Sequence, residues 1–186
     1  MKHLLFEDNG DFRAGTVLSE AGSSLQVELA SGKRAKVKAA HIVLRYDSPS
    51  PDVLLPQARE LAEQIDVDFL WECAPQDEFS FTDLADEYFG GHASPPQAAA
   101  LLMRLHSAPV YFHRRGRGRY RPAPAETLKA ALAALERKRR QETQVEEDAQ
   151  AMIDGKLPAE VAAQAASLLV RPDKMSLTWK GFERAL

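Results

Sequence analysis

The spacing of apolar positions changes period along the chain, and each change predicts a different kind of element. "SLQVEL" (24–29) alternates Leu25, Val27 and Leu29 with polar residues, the period-2 pattern of a half-buried strand. "RAKVK" (34–38) alternates in the opposite sense, with Arg34, Lys36 and Lys38 on one face, and "ASGK" between the two runs supplies a hairpin turn at Gly32. "FRAGTVL" (12–18) and "IVLRY" (42–46) predict two further strands, with turns at Gly10 and Gly22. So many short strands in so few residues predict a small, strongly bent β-barrel over residues 1–46. "DSPSP" (47–51) then predicts a linker, because Pro49 and Pro51 oppose helix continuation.

From Asp52 the period becomes helical. Leu54, Leu55, Ala58, Leu61, Ala62 and Ile65 recur at helix spacing. "FTDLADEYF" (81–89) predicts a short helix ended by Gly90 and Gly91. "SPPQAAALLMRLHS" opens with Ser94 as N-cap, Pro95 at the first helical position and Gln97 three residues on, a capping box. "PVYFHR" and "RYRPA" flank Gly116-Arg117-Gly118, which predicts a β-hairpin. Three helices followed by a basic hairpin is the order of a winged helix, here over residues 52–123. Residues 124–186 are predicted to be helical. Within them the stretch 136–144 lacks an apolar face and is expected to stand in solvent, and a last helix carries Trp179, Phe182 and Leu186 as an apolar stripe. With no Gly, Pro or polar tail to stop it, that helix is expected to dock on a domain beyond Leu186. The predicted fold class is α+β: a small N-terminal β-barrel, a winged-helix domain and a helical C-terminal segment.

Charge sharpens this picture. The chain has a net charge of -3, yet residues 88–125 contain six arginines and no acid, whereas residues 47–87 contain twelve acids and one base. A local positive field attracts a polyanion even on an acidic protein. Cys73 is the single cysteine, which excludes an internal disulfide and a Cys-based zinc site. "MKHLLFED" is too short in apolar residues for a signal-peptide core, and no run approaches the roughly 20 apolar residues of a membrane span, so the expectation is a cytoplasmic protein with no membrane partner.

The search for catalytic chemistry finds no phosphate-cradling glycine loop, no His-Glu-x-x-His and no Cys-x-x-Cys, and the five histidines are scattered. No catalytic residue, metal ligand or cofactor is therefore expected in this chain. The hairpin "YFHRRGRGRYR" is different. Simple alternation predicts one face with Tyr111, His113 and Arg115 and another with Phe112 and Arg114. On the return strand it groups Arg117, Arg119 and Arg121 opposite Tyr120. Arginine bonds phosphate bidentately, Tyr and His offer stacking planes, and Gly116 and Gly118 allow close backbone approach. Those residues, with Arg104 and the weaker Lys36/Lys38 face, form the predicted nucleic-acid surface. The plainer reading is a solvated basic loop, or one paired with the acidic 47–87 block.

Four stretches together, "FRAGTVLSEAGSSLQVELASGKRAKVKAAHIVLRY", "DFLWECAPQDEFSFTDLADEYFG", "AAALLMRLHSAPVYFHRRGRGRYRPAP" and "LKAALAALERKRRQ", resemble one bacterial branch of the ribonuclease II family, in the region ahead of the catalytic RNB domain. The resemblance implies a 3′–5′ exoribonuclease of which this chain is the N-terminal, RNA-binding part. It also implies single-stranded RNA as partner, and magnesium held by an aspartate cluster in the catalytic domain, with nothing here matching that cluster. Commoner members of the family begin with cold-shock-type oligonucleotide-binding domains, from which this chain departs. The alternative is a DNA-binding winged-helix transcriptional regulator. The helix 95–107 offers mainly Gln97, Arg104 and His106, poor equipment for reading base edges.

Overall fold

The computed structural model describes residues 2–170 and 172–186. It contains two compact units, Met1–Ala125 and Glu126–Leu186. The first opens with β1 (His3–Asp8), β2 (Asp11–Ala21), β3 (Ser24–Leu29) and β4 (Arg34–Lys38), then a 3-10 turn at Ala39–His41 and β5 (Ile42–Tyr46). Helices α1 (Pro51–Gln64) and α2 (Val67–Cys73), the short strand β6 (Phe79–Ser80), α3 (Phe81–Tyr88) and α4 (Pro95–Ser107) follow, and the unit closes with the hairpin β7 (Phe112–Gly116) and β8 (Arg119–Pro122). The second unit is α5 (Ala125–Ile153), α6 (Ala159–Ala163), α7 (Ala165–Val170) and α8 (Leu177–Ala185).

The expected barrel is not what forms. The five strands make an open antiparallel sheet in the order β4-β3-β2-β1-β5, so β4 and β5 lie at opposite edges. The reason lies in β1, a strand that the alternation pattern does not reveal because Leu4, Leu5, Phe6 and Glu7 are all buried. Leu4 and Phe6 pack on one face with Leu25, Val27 and Val37. Leu5 packs on the other, in a core shared with Ala14, Tyr46, Leu54, Leu84 and Leu101. One face of the sheet is thus filled by helices, and the predicted barrel followed by a winged helix is corrected to a mixed α+β layer. The predicted faces of β3 and β4 do hold: Leu25, Val27 and Val37 are buried, Lys36 and Lys38 exposed.

Several local signals have identifiable partners. Ser50 stands at the N-cap position of α1 with Pro51 at its first helical position, so the second proline of the expected linker starts the helix. The Ser94 N–H donates to Gln97 Oε1 (2.8 Å), one half of the capping box. Helix α2 had no strong periodic signal; Asp66 caps it, accepting from the N–H groups of Asp68 (2.9 Å) and Phe69 (3.0 Å).

In the second unit the stretch 136–144 is exposed apart from a half-buried Glu136. Helix α8 crosses α5 at Gly181, where a Cβ would stand 3.2 Å from Asp148 Cβ, and Arg184 pairs with Glu146 at 2.8 Å. The predicted apolar stripe of α8 is therefore split: Trp179 and Phe182 are half-buried with ring centroids 5.8 Å apart, while Leu186 is exposed. Among the described residues, no helix is long and apolar enough to cross a membrane.

Candidate nucleic-acid interface

The β7–β8 hairpin turns at Arg117-Gly118 and is joined by β6 into a three-stranded sheet ordered β6-β8-β7. Its register pairs Phe112 with Pro122, His113 with Arg121, and Arg114 with Tyr120, then shifts so that Gly116 pairs with Arg119. That irregularity, at Arg115, breaks the simple alternation on which the predicted faces rest. Directly opposed residues share a face. His113 and Arg121 therefore point outward together, with Arg119 two residues along the same strand, and all three are exposed.

The five arginines divide into fixed and free. Arg114 Nη2 donates to Glu7 Oε2, and Arg117 Nε lies 3.7 Å from the same carboxylate oxygen while its Nη1 donates to the Ala40 carbonyl (3.1 Å). Arg117 thus belongs to the turn and faces the first sheet, and does not share a face with Arg119 and Arg121 as predicted. Arg119 Nε bonds Glu78 Oε1, a residue of the acidic block. The pairing with the acidic 47–87 block expected of a compensated loop forms at Arg119, whereas Arg114 and Arg117 are held by Glu7, outside that block. Among the described residues, the side chains of Arg115, Arg121 and His113 make no hydrogen bond or ion pair and remain exposed.

Three other predicted contacts change role. Tyr120 is 2% exposed, and burial pushes its phenol up to about 12, so it is a core residue and offers no plane to a base. Tyr111 is half-buried; its hydroxyl donates to Asp68 Oδ1 at 2.7 Å, and burial followed by that hydrogen bond raises its pKa to about 12. Arg104 is half-buried and its Nε donates to the Ile65 carbonyl (2.9 Å), tying α4 to the end of α1. The close approach allowed by Gly118 is toward Phe81, whose N–H donates to the Gly118 carbonyl at 2.9 Å, and not toward a ligand.

Helix α4, the expected reading helix, is the most buried of the first unit. Ala98 to Leu102 and Leu105 are all buried, and only Ser107 is exposed. Gln97 is engaged by the cap, Arg104 by Ile65, and the His106 ring sits 5.1 Å from the Phe12 ring at an interplanar angle of 74°. Lys36 and Lys38 stand exposed on the edge strand β4, and Lys38 lies two residues before the carbonyl that receives Arg117. Among the described residues, no three His, Cys, Asp or Glu side chains gather where they would hold a metal ion.

Sequence reasoning missed Glu7, because it assigned no strand to residues 3–8. The signal was present: an acid directly after three apolar residues, in a chain whose hairpin carries five arginines to balance. No protein-family model, no curated protein and no solved structure matches this chain.

Proposed function

We propose that this chain binds single-stranded RNA through the outward side of its β7–β8 hairpin, as the N-terminal RNA-binding region of a ribonuclease II-like 3′–5′ exoribonuclease in the cytoplasm. The observation that carries the reading is the pair of exposed, uncompensated guanidinium groups of Arg115 and Arg121, with His113 opposite Arg121. Glu7 and Glu78 hold Arg114, Arg117 and Arg119 around them, so the hairpin is held in place while two of its cations stay available to phosphate. The burial of α4 speaks against the DNA-binding regulator, since base-edge reading needs polar side chains that reach into a groove. Charge-led binding without base readout suits a strand being passed to another domain. In this reading an RNB domain following the chain supplies hydrolysis and holds magnesium through its own aspartates.

The test is a salt series of fluorescence anisotropy with a labelled oligouridylate. Replacing both Arg115 and Arg121 with Ala is expected to weaken binding about tenfold or more at low salt. The slope of log affinity against log salt should fall by about 1.4, at roughly 0.7 per lost single-strand contact. Replacing Lys36 and Lys38 should have a smaller effect. A double arginine variant that binds like the parent at every salt concentration overturns the reading. In a separate assay the purified chain is expected to leave labelled single-stranded RNA at full length in the presence of magnesium. Stepwise, metal-dependent shortening would show that catalytic residues have been overlooked.

A further inference from the structure

A groove of about 490 Å³ opens between the start of β2, helix α1 and the last turn of α4. Clefts that hold small ligands span about 300–1,000 Å³ and combine an apolar lining with a few convergent polar groups. Here Phe12, Leu55 and Met103 are half-buried and supply the apolar lining. Leu55 and Arg59 lie four apart on α1, and Met103 and His106 three apart on α4, so each helix presents one apolar and one polar side chain to the groove. Arg59 is exposed and, among the described residues, its side chain makes no hydrogen bond or ion pair. Arg13 also lines the groove, 3.3 Å from Asp8, with half of its side chain exposed. The acid that lines the groove is Asp11.

Through the sheet register the groove approaches the anchored side of the hairpin, the side opposite the outward His113 and Arg121. Phe12 is the cross-strand partner of Glu7, and directly opposed residues share a face. Glu7 is the carboxylate that holds Arg114 and Arg117, so the groove begins where the hairpin is anchored. The Glu7 charge does not separate the two regions, because two guanidinium groups face it.

We infer that this groove is a nucleotide subsite, which takes one residue of single-stranded RNA with its base against the Phe12 ring and its phosphate on Arg59. The inference rests on the reading of the hairpin as an RNA surface and extends it to a second site on the first unit. Stacking suits the site because every base has a π-face, and Phe12 lies beside His106 with the two rings edge-to-face. An unpaired guanidinium at the rim matches a phosphate, which it binds bidentately. Asp11 opposes the same phosphate and sets a limit on affinity.

The test uses the whole chain, a labelled oligouridylate and uridine monophosphate. Arg59→Gln is expected to weaken oligouridylate binding about threefold to tenfold and to lower the salt slope by about 0.7. Phe12→Leu, which keeps an apolar side chain but removes the ring, is expected to weaken binding roughly fivefold to a hundredfold with the slope unchanged. Asp11→Asn is expected to strengthen it. Arg59 and Asp11 are exposed, so these two variants remain informative even if Phe12→Leu fails to fold. If the double Arg115/Arg121 variant loses RNA while Arg59→Gln and Asp11→Asn both bind like the parent, the subsite is wrong and the hairpin reading stands. A parent chain that does not bind oligouridylate removes both. If uridine monophosphate binds with sensitivity to Arg59→Gln while oligouridylate is insensitive, the groove serves a free nucleotide and the inference fails.

Discussion

Replacing Tyr120 with alanine is expected to lower the stability of the first unit by about 3–5 kcal/mol, the range for removing a large aromatic side chain from a core. Tyr120 sits in β8 between two partners, paired with Phe79 of β6 and Arg114 of β7, and it belongs to the core cluster that includes Phe79, Phe112 and Leu84. Phe79 and Phe112 meet edge-to-face with centroids 6.2 Å apart, so the site is lined by rigid rings that cannot collapse into the space left behind. A loss of that size consumes a large share of the roughly 5–15 kcal/mol by which domains are stable. Urea unfolding followed by circular dichroism should show a lower midpoint with an unchanged slope. RNA affinity should fall only as far as the unfolded fraction dictates, and Tyr120→Phe, which keeps the ring, should restore most of both. An alanine variant as stable as the parent but weakened for RNA would return Tyr120 to the binding surface.

Gly118→Ala is expected to cost about 2–5 kcal/mol, from two separate sources. The residue has φ +67°, a left-handed conformation that costs a side-chain-bearing residue roughly 1–2 kcal/mol. A Cβ there would also stand 2.8 Å from Phe81 Cδ1 and 3.0 Å from Cε1. Phe81 is buried at the start of α3 and cannot retreat without disturbing the core, and overpacking of this kind costs about 1–3 kcal/mol. The neighbouring glycine is the internal control. A Cβ on Gly116 would meet nothing nearer than Arg119 Cβ at 3.9 Å, and its φ is not positive, so Gly116→Ala should be nearly neutral. Thermal unfolding of the two variants side by side decides the matter. Equal midpoints would mean that the turn does not lock onto α3.

The parts of this protein legible in its sequence are those governed by near neighbours along the chain. The alternation of Leu25, Val27 and Val37 announces β3 and β4 because a strand turns each successive side chain to the opposite face. Ser94 and Gln97 announce the start of α4 because the cap is completed within four residues. The hairpin and its concentration of arginine are equally plain. What the sequence could not reveal depends on distant contacts. Strand β1 shows no alternation because both of its faces are covered, one by its own sheet and one by helices brought back from later in the chain. Helix α4 looks like an exposed reading helix until α1, α3 and the sheet close around it. The faces of the arginines were misassigned because the register shift at Arg115 reverses the parity on which alternation rests, and because Glu7 lies 107 residues from Arg114. The sequence by itself determined which cations the protein carries and where the chain turns. Only tertiary structure decided which of those cations are already satisfied, since an ion pair depends on proximity in space, which no local pattern encodes.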